Sequence, residues 1–334
     1  MPMRFLGMLA VALFAFGVEA QAGDRLDTIR ERGYLTCGVS ADAPGLSRRD
    51  ARGRYNGFEA DMCRAVATAI FGSADKAEFR AIDTILNFLA DPGIDLVLHG
   101  LTWTFGRETG SGVRFGPVVL YDGQTFLVNR KLGVKNLRQL SGRTVCVQGD
   151  SNFYRSLQRA YRERRMVLKA TALKTFAAAE EAFFAGRCDA FTADATELAA
   201  TLIGRASNPD DYVILPDRIS KEPLAPLLRR GDEEFFDIVR WTFFALVEAE
   251  ELGVTAANVD RMKASGDARV RDFLNVPSAP LGLGPGWAAA VVRSVGNYGE
   301  LFERSLGRRS AARLDRGLNG LWSRGGLLYA PPLR

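Results

Sequence analysis

One histidine, His99, occurs among the 334 residues. A Ser-His-Asp triad would have to use that one ring as its base, and a metal site built on several imidazoles is excluded. The four cysteines include no C-x-x-C spacing, which argues against a reactive or metal-binding thiol cluster. Gly282, Gly284, Pro285 and Gly286 lack the G-x-G-x-x-G arrangement and any following Lys-Ser or Lys-Thr, so they read as a loop and not as a nucleotide cradle. Tandem repeats and low-complexity tracts are absent. The most apolar later stretch, Phe235 to Leu252, is interrupted by Asp237, Arg240 and Glu248, which suits a buried helix better than a membrane span.

What is present points to an exported globular chain. Arg4 precedes an apolar stretch from Phe5 to Val18, and Ala20-Gln21-Ala22 supplies a small-x-small cleavage pattern, so residues 1–22 read as a cleaved secretory signal. An uncleaved anchor is the alternative, but the stretch is short for a span of roughly 20 residues. The hydrophobic fraction of 47% is enough for sizeable cores, and the length suits two domains. Four cysteines in an exported chain argue for two disulfides, for which three pairings are possible.

From Tyr34 onward strand and helix patterns alternate: Leu35 to Val39, Asp61 to Phe71, Phe79 to Ile82, Asp83 to Ala90 and Ile94 to Leu98. A second series follows Gly133, with strands near Thr144 to Val147, Leu168 to Ala172 and Asp189 to Thr192 separated by helices. Two such blocks imply an α/β fold of two lobes with mainly parallel sheets. The β-branched and apolar runs around 124–128 and 214–220 suit extended hinge strands between the lobes. The expected division is a first lobe from 23–123 and 221–264, a second lobe from 129–213, and a helical extension, 265–334, packed on the first.

The segment Ile94-Asp95-Leu96-Val97-Leu98-His99-Gly100-Leu101-Thr102-Trp103-Thr104-Phe105-Gly106-Arg107 is the most informative. A strand apolar on both faces is buried, so the small and hydroxylated residues after it open onto a cleft at its carboxyl end. Thr104 can cap a following helix with Arg107 in its first turn. Helix-end N–H groups, threonine hydroxyls and a planar guanidinium together suit a carboxylate.

Thr102-Trp103-Thr104-x-x-Arg107, Cys37-Gly38-Val39 and Gly186-Arg187-Cys188-Asp189-Ala190-Phe191-Thr192-Ala193-Asp194 together resemble the general L-amino-acid-binding periplasmic proteins of polar amino-acid ABC importers. Tyr121-Asp122-Gly123-Gln124, Ile219-Ser220-Lys221-Glu222-Pro223-Leu224 and Val295-Gly296-Asn297-Tyr298-Gly299-Glu300 extend the resemblance over nearly the whole chain. It implies a periplasmic binding protein-like II fold, two lobes on two hinge strands, and delivery of a ligand to a membrane permease. Short chain separations favour Cys37 with Cys63 and Cys146 with Cys188, and the resemblance implies the same pairs. It also implies that Asp194 holds the α-ammonium of an amino acid whose α-carboxylate meets Arg107, with Thr102 and Ser151 as further donors. Asp194 otherwise has the position of a plain helix cap.

Several positions depart from the family pattern. Asp150 stands in Gln148-Gly149-Asp150-Ser151, where the family carries a glycine followed by Ser or Thr at a helix N-terminus; capping the helix is its simpler role. His99 and Gly100 replace polar residues, so His99 either lines the pocket and makes binding pH-dependent or is structural, and Gly100 enlarges the pocket. Ala60 interrupts an alternation of apolar and acidic residues. The loop Ala41 to Arg54, with Leu46, Arg48 and Arg49, is expected to cover the ligand side chain.

Two other functions fit the same fold: an enzyme similar to cyclohexadienyl dehydratases, and a specialised receptor for a non-standard amino acid or amine. Arg107 and Asp194 together form a complete amino-acid clamp, which favours binding without turnover. The arginines from Arg155 to Arg165 lie on one predicted helix without interleaved stacking aromatics beyond Tyr154 and Tyr161, so they read as a solvated face and not as a nucleic-acid surface. The expectation is a monomer with no cofactor and no metal.

Overall fold

A computed structural model describes residues 24–110 and 112–334. The expected signal, residues 1–22, lies outside the described residues.

The first lobe is built on a five-stranded sheet ordered Ala77–Ala81, Leu35–Val39, Leu96–Leu98, Leu227–Arg229, Val113–Phe115. The first three strands run parallel and the last two join antiparallel. Leu35–Val39 and Leu96–Leu98 are buried throughout, as their mainly apolar and small residues suit a sheet covered on both faces. Helix Phe58–Phe71 packs on this sheet and stops at Gly72, whose φ of 74° is the left-handed turn that ends helices. Helix Glu233–Glu251 is capped by Asp232 and buries Phe235, Ile238, Val239 and Leu246 in the same core. Among the described residues no helix is long and apolar enough to cross a membrane.

The second lobe repeats the plan with the order Lys169–Leu173, Thr144–Gln148, Ala190–Asp194, Gln124–Asn129, Tyr212–Ile214. The run 124–128, expected to be a crossing, is thus a paired strand inside this sheet, and Ile214 sits on the sheet's edge strand. The ribbon between the lobes lies alongside: Leu120–Asp122 pairs antiparallel with Glu222–Leu224. Extended β-branched residues suit a sheet strand and a crossing equally, so the sequence pattern does not separate a crossing from the strands on either side of it.

The C-terminal residues complete the first lobe. Helix Trp287–Val295 packs on Phe58–Phe71, and Tyr298 donates its hydroxyl to the Val119 carbonyl at 2.9 Å. The two disulfides are Cys37–Cys63, tying strand to helix, and Cys146–Cys188 in the second lobe. Their loops span 26 and 42 residues, for which chain-entropy arguments give roughly 3.5 and 4 kcal/mol.

Candidate ligand-binding cleft

Strands Leu96–Leu98 and Ala190–Asp194 both deliver their carboxyl ends to one cleft between the lobes, of about 510 Å³. Gly100, Thr102, Thr104 and Arg107 line it from the first lobe, and Gln124, Ser151, Phe153 and Asp194 from the second. Glu222 enters from the crossing ribbon.

Arg107 lies in the short helix Phe105–Gly110, and its backbone N–H is bonded to the Thr104 hydroxyl at 3.3 Å, as expected of a capping threonine. Its guanidinium Nη1 donates to the Thr102 carbonyl at 2.7 Å. The Thr102 hydroxyl, expected to face a ligand, instead donates to Glu222 Oε2 at 2.8 Å. Ser220 donates to the other oxygen, Oε1, at 2.9 Å. Two hydroxyl donors hold Glu222 as an acceptor in the cleft wall.

Asp194 occupies the N-cap position of helix Ala195–Arg205, yet its carboxylate makes no capping bond. Its Oδ1 is buried without a hydrogen-bond partner. Burial pushes the carboxyl up to about 9, and the charges of Asp122, Glu197 and Glu222 act in the same direction, partly offset by Arg218. Asp122 is deeply buried and accepts from the Thr196 hydroxyl at 2.6 Å and from Gly123 N at 2.8 Å; burial raises its pKa too. Burial lifts Glu197 to about 7, with Asp122 and Glu222 adding to the rise. An entering cationic group would relieve this crowd of carboxyls.

Ser151 caps helix Asn152–Glu163: it accepts from Tyr154 N at 3.2 Å and donates to the Gln148 carbonyl at 2.6 Å. Its hydroxyl proton is therefore committed to the backbone. The capping role expected of Asp150 belongs to Ser151, while Asp150 is exposed in a left-handed turn at φ 51° and stands outside the cleft lining.

His99 stands outside the cleft lining, with Nε2 at 2.8 Å from the Ile82 carbonyl, so that nitrogen carries the proton and donates. Gly100 has φ of 57°, and a Cβ there would lie 3.7 Å from Leu46, an ordinary contact. Its glycine serves the left-handed turn more than pocket volume. Gly100 N donates to Glu59 Oε1. Glu59 is fully buried beneath this turn, and burial lifts its pKa to about 7. The loop expected over the ligand side chain forms a small sheet, Asp42–Ala43, Ser47–Arg49 and Tyr55–Asn56, that stands outside the cleft lining. Leu46 is buried there and Arg48 pairs with Asp42 at 3.2 Å.

Gln124, Phe153 and Glu222 escaped the sequence reading as site residues. A signal existed for the first: a glutamine opening the strand Gln124–Asn129, whose first five positions are all buried. Among the described residues, no group of three or more His, Cys, Asp or Glu could hold a metal.

Two α/β lobes flanking a cleft lined by Arg107, Asp194 and Glu222 define a binding protein for a small solute. The chain belongs to the bacterial extracellular solute-binding proteins, family 3, which it matches over residues 35–257. It is 39% identical over 333 residues to the general L-amino acid-binding periplasmic protein AapJ of Rhizobium johnstonii, covering 98% of this chain and 97% of AapJ. It is also 39% identical to the glutamate/glutamine/aspartate/asparagine-binding protein BztA of Rhodobacter capsulatus, covering 99% of this chain and 98% of BztA. Among solved structures, a periplasmic binding protein of an ABC transporter from Brucella ovis with glutathione bound superimposes with a TM-score of 0.80 at 37% identity, covering 94% of this chain and all of that one. The chain is thus similar throughout to periplasmic amino-acid-binding proteins of ABC transporters, and it functions as one of them.

Proposed function

We propose that the cleft captures an L-α-amino acid, with Arg107 on its carboxylate and Asp194 on its ammonium, and that the protein acts as a monomer delivering it to the permease of an ABC importer. The observation that carries this reading is the idle carboxylate of Asp194: at a cap position, buried, without a partner, and in the same cleft as Arg107. Such a group is costly unless something cationic completes it. Ligand bridging the two lobes would shift the population toward a closed form that a permease can distinguish. We place the pivots at the Leu120–Asp122 and Glu222–Leu224 ribbon, and the mature chain in the periplasm after cleavage behind Ala22.

Turnover is not part of this reading. Both oxygens of Glu222 are already engaged as acceptors by the Thr102 and Ser220 hydroxyls, a structural role in the cleft wall. The glutathione found in the Brucella ovis relative keeps a free α-ammonium and α-carboxylate at its γ-glutamyl end, so small γ-glutamyl peptides belong among the ligands to be tried. The test is calorimetric titration of unfolded, dialysed and refolded protein with amino acids, glutathione and simple carboxylates, followed by mass spectrometry of the released ligand. Binding, recovery of unchanged ligand, and loss of binding in Arg107→Ala and Asp194→Ala are expected. Full affinity in either variant overturns the clamp.

A further inference from the structure

Gln124 is 1% exposed, yet it lines the cleft. Its side-chain orientation is fixed by its neighbours. Nε2 donates to the Phe153 carbonyl at 2.9 Å and to the Thr192 hydroxyl at 3.0 Å. Thr192 in turn spends its own proton on the Thr125 carbonyl at 2.7 Å, so it can only accept from Gln124. Both amide hydrogens are used, and the remaining atom, Oε1, is buried with no partner.

Gln124 and Asp194 are directly opposed in the antiparallel register of their strands. Side chains so placed share one face of the sheet, with Cβ atoms about 5 Å apart. The two atoms left unpartnered, Gln124 Oε1 and Asp194 Oδ1, are both acceptors, and neither can satisfy the other when Asp194 is ionised. A group with several N–H donors, placed between them, satisfies both. An ammonium has three such donors.

We infer that Gln124 is a ligand-binding residue, its Oε1 and Asp194 Oδ1 together receiving the ligand's primary ammonium. This rests on the amino-acid reading of the cleft and extends it: the preference is for a primary amine, and it is independent of the ligand's side chain, because the acceptor pair meets the part that all α-amino acids share.

The experiment compares refolded wild type with Gln124→Met, which keeps length but lacks the oxygen, using L-glutamate, L-arginine and L-leucine as calorimetric probes and thermal melts to verify folding. The expected result is a loss of about ten- to a hundredfold in affinity for every probe that wild type binds, as befits a hydrogen bond to a charged group. Wild-type affinity in folded Gln124→Met, or a loss confined to one side-chain class, overturns the inference. Should Gln124→Met not fold, wild type carrying ¹³C-labelled glutamine gives the same answer: the Gln124 side-chain carbonyl signal shifts on ligand addition, and an unmoved signal overturns the inference. Absence of binding of any probe to wild type overturns the amino-acid reading and this inference with it, a different outcome from binding that ignores Gln124.

Discussion

Asp194 and Gln124 face each other across adjacent antiparallel strands, and each keeps one buried oxygen without a hydrogen-bond partner. With Asp194 ionised, neither oxygen can satisfy the other. Completion of the pair by a ligand's ammonium has consequences for protons as well as for affinity.

With its carboxyl held up to about 9, Asp194 carries a proton in the ligand-free protein at neutral pH. Pairing with an ammonium favours the ionised form, so binding expels that proton. Affinity for an amino acid is therefore expected to rise with pH between roughly 6 and 9, by up to about tenfold per unit. Titration at pH 7 in buffers of different ionisation enthalpy should show net proton release, and Asp194→Asn should remove the Asp194 share of it. Equal heats in all buffers would refute the linkage.

The same shift has a signature in stability. A carboxyl whose folded pKa lies above its unfolded value, here near 9 against 3.8, stabilises the folded state fully only below the lower value. Stability then drains away as pH rises through the interval, because the unfolded chain ionises first. Asp194→Asn cannot ionise and escapes this loss. In ligand-free protein the variant's thermal midpoint should match wild type near pH 4 and exceed it by more than about 2 °C at pH 8. A constant difference across that range would assign the effect to packing.

Much of this was legible in the sequence because it rests on local signals. The buried strands Leu35–Val39 and Leu96–Leu98, the Thr104 cap and the cleft position of Arg107 follow from apolar runs and capping residues at their ends, whereas Asp194 reads locally as a plain helix cap and only the family resemblance points it at a ligand. What was missed depends on long-range partners. Thr102 looks like a free hydroxyl until Glu222, 120 residues away, is seen to accept its proton. Gln124 reads as one polar residue at a strand end until Asp194 is placed opposite. Ser151 and Asp150 are both good capping types, and only backbone geometry chooses between adjacent candidates.

His99 illustrates the same limit. A lone histidine beside a cleft invites a titrating role, but its ring is tied to the Ile82 carbonyl in the first lobe. His99→Phe should cost about 1 kcal/mol of folding stability through that lost hydrogen bond. Ligand affinity at pH 5.5 and 7.5 should keep the wild-type ratio. Urea unfolding and calorimetry read the two effects separately, and a changed pH ratio would return His99 to the ligand site.

The junction between the lobes gives the most stringent test of how the cleft is supported. A Cβ at Gly123 would stand 2.5 Å from the Ser220 carbonyl oxygen, a backbone atom that cannot swing aside. The two crossings are bonded at this point, through Gln124 N to the Ser220 hydroxyl at 3.0 Å and Ile219 N to the Gln124 carbonyl at 2.9 Å. Gly123→Ala must push them apart, displacing Gln124 and Glu222 together. A loss of roughly 1–3 kcal/mol in stability is expected from the overpacking, with weaker ligand binding alongside. Gly204→Ala, in helix Ala195–Arg205 with nothing within 4 Å of the new methyl, serves as the comparison. It should be neutral or stabilise by about 0.5–1 kcal/mol through helix propensity. Were Gly123→Ala to behave like Gly204→Ala in both measurements, the close approach of the crossings would have no part in holding the acceptor pair in place.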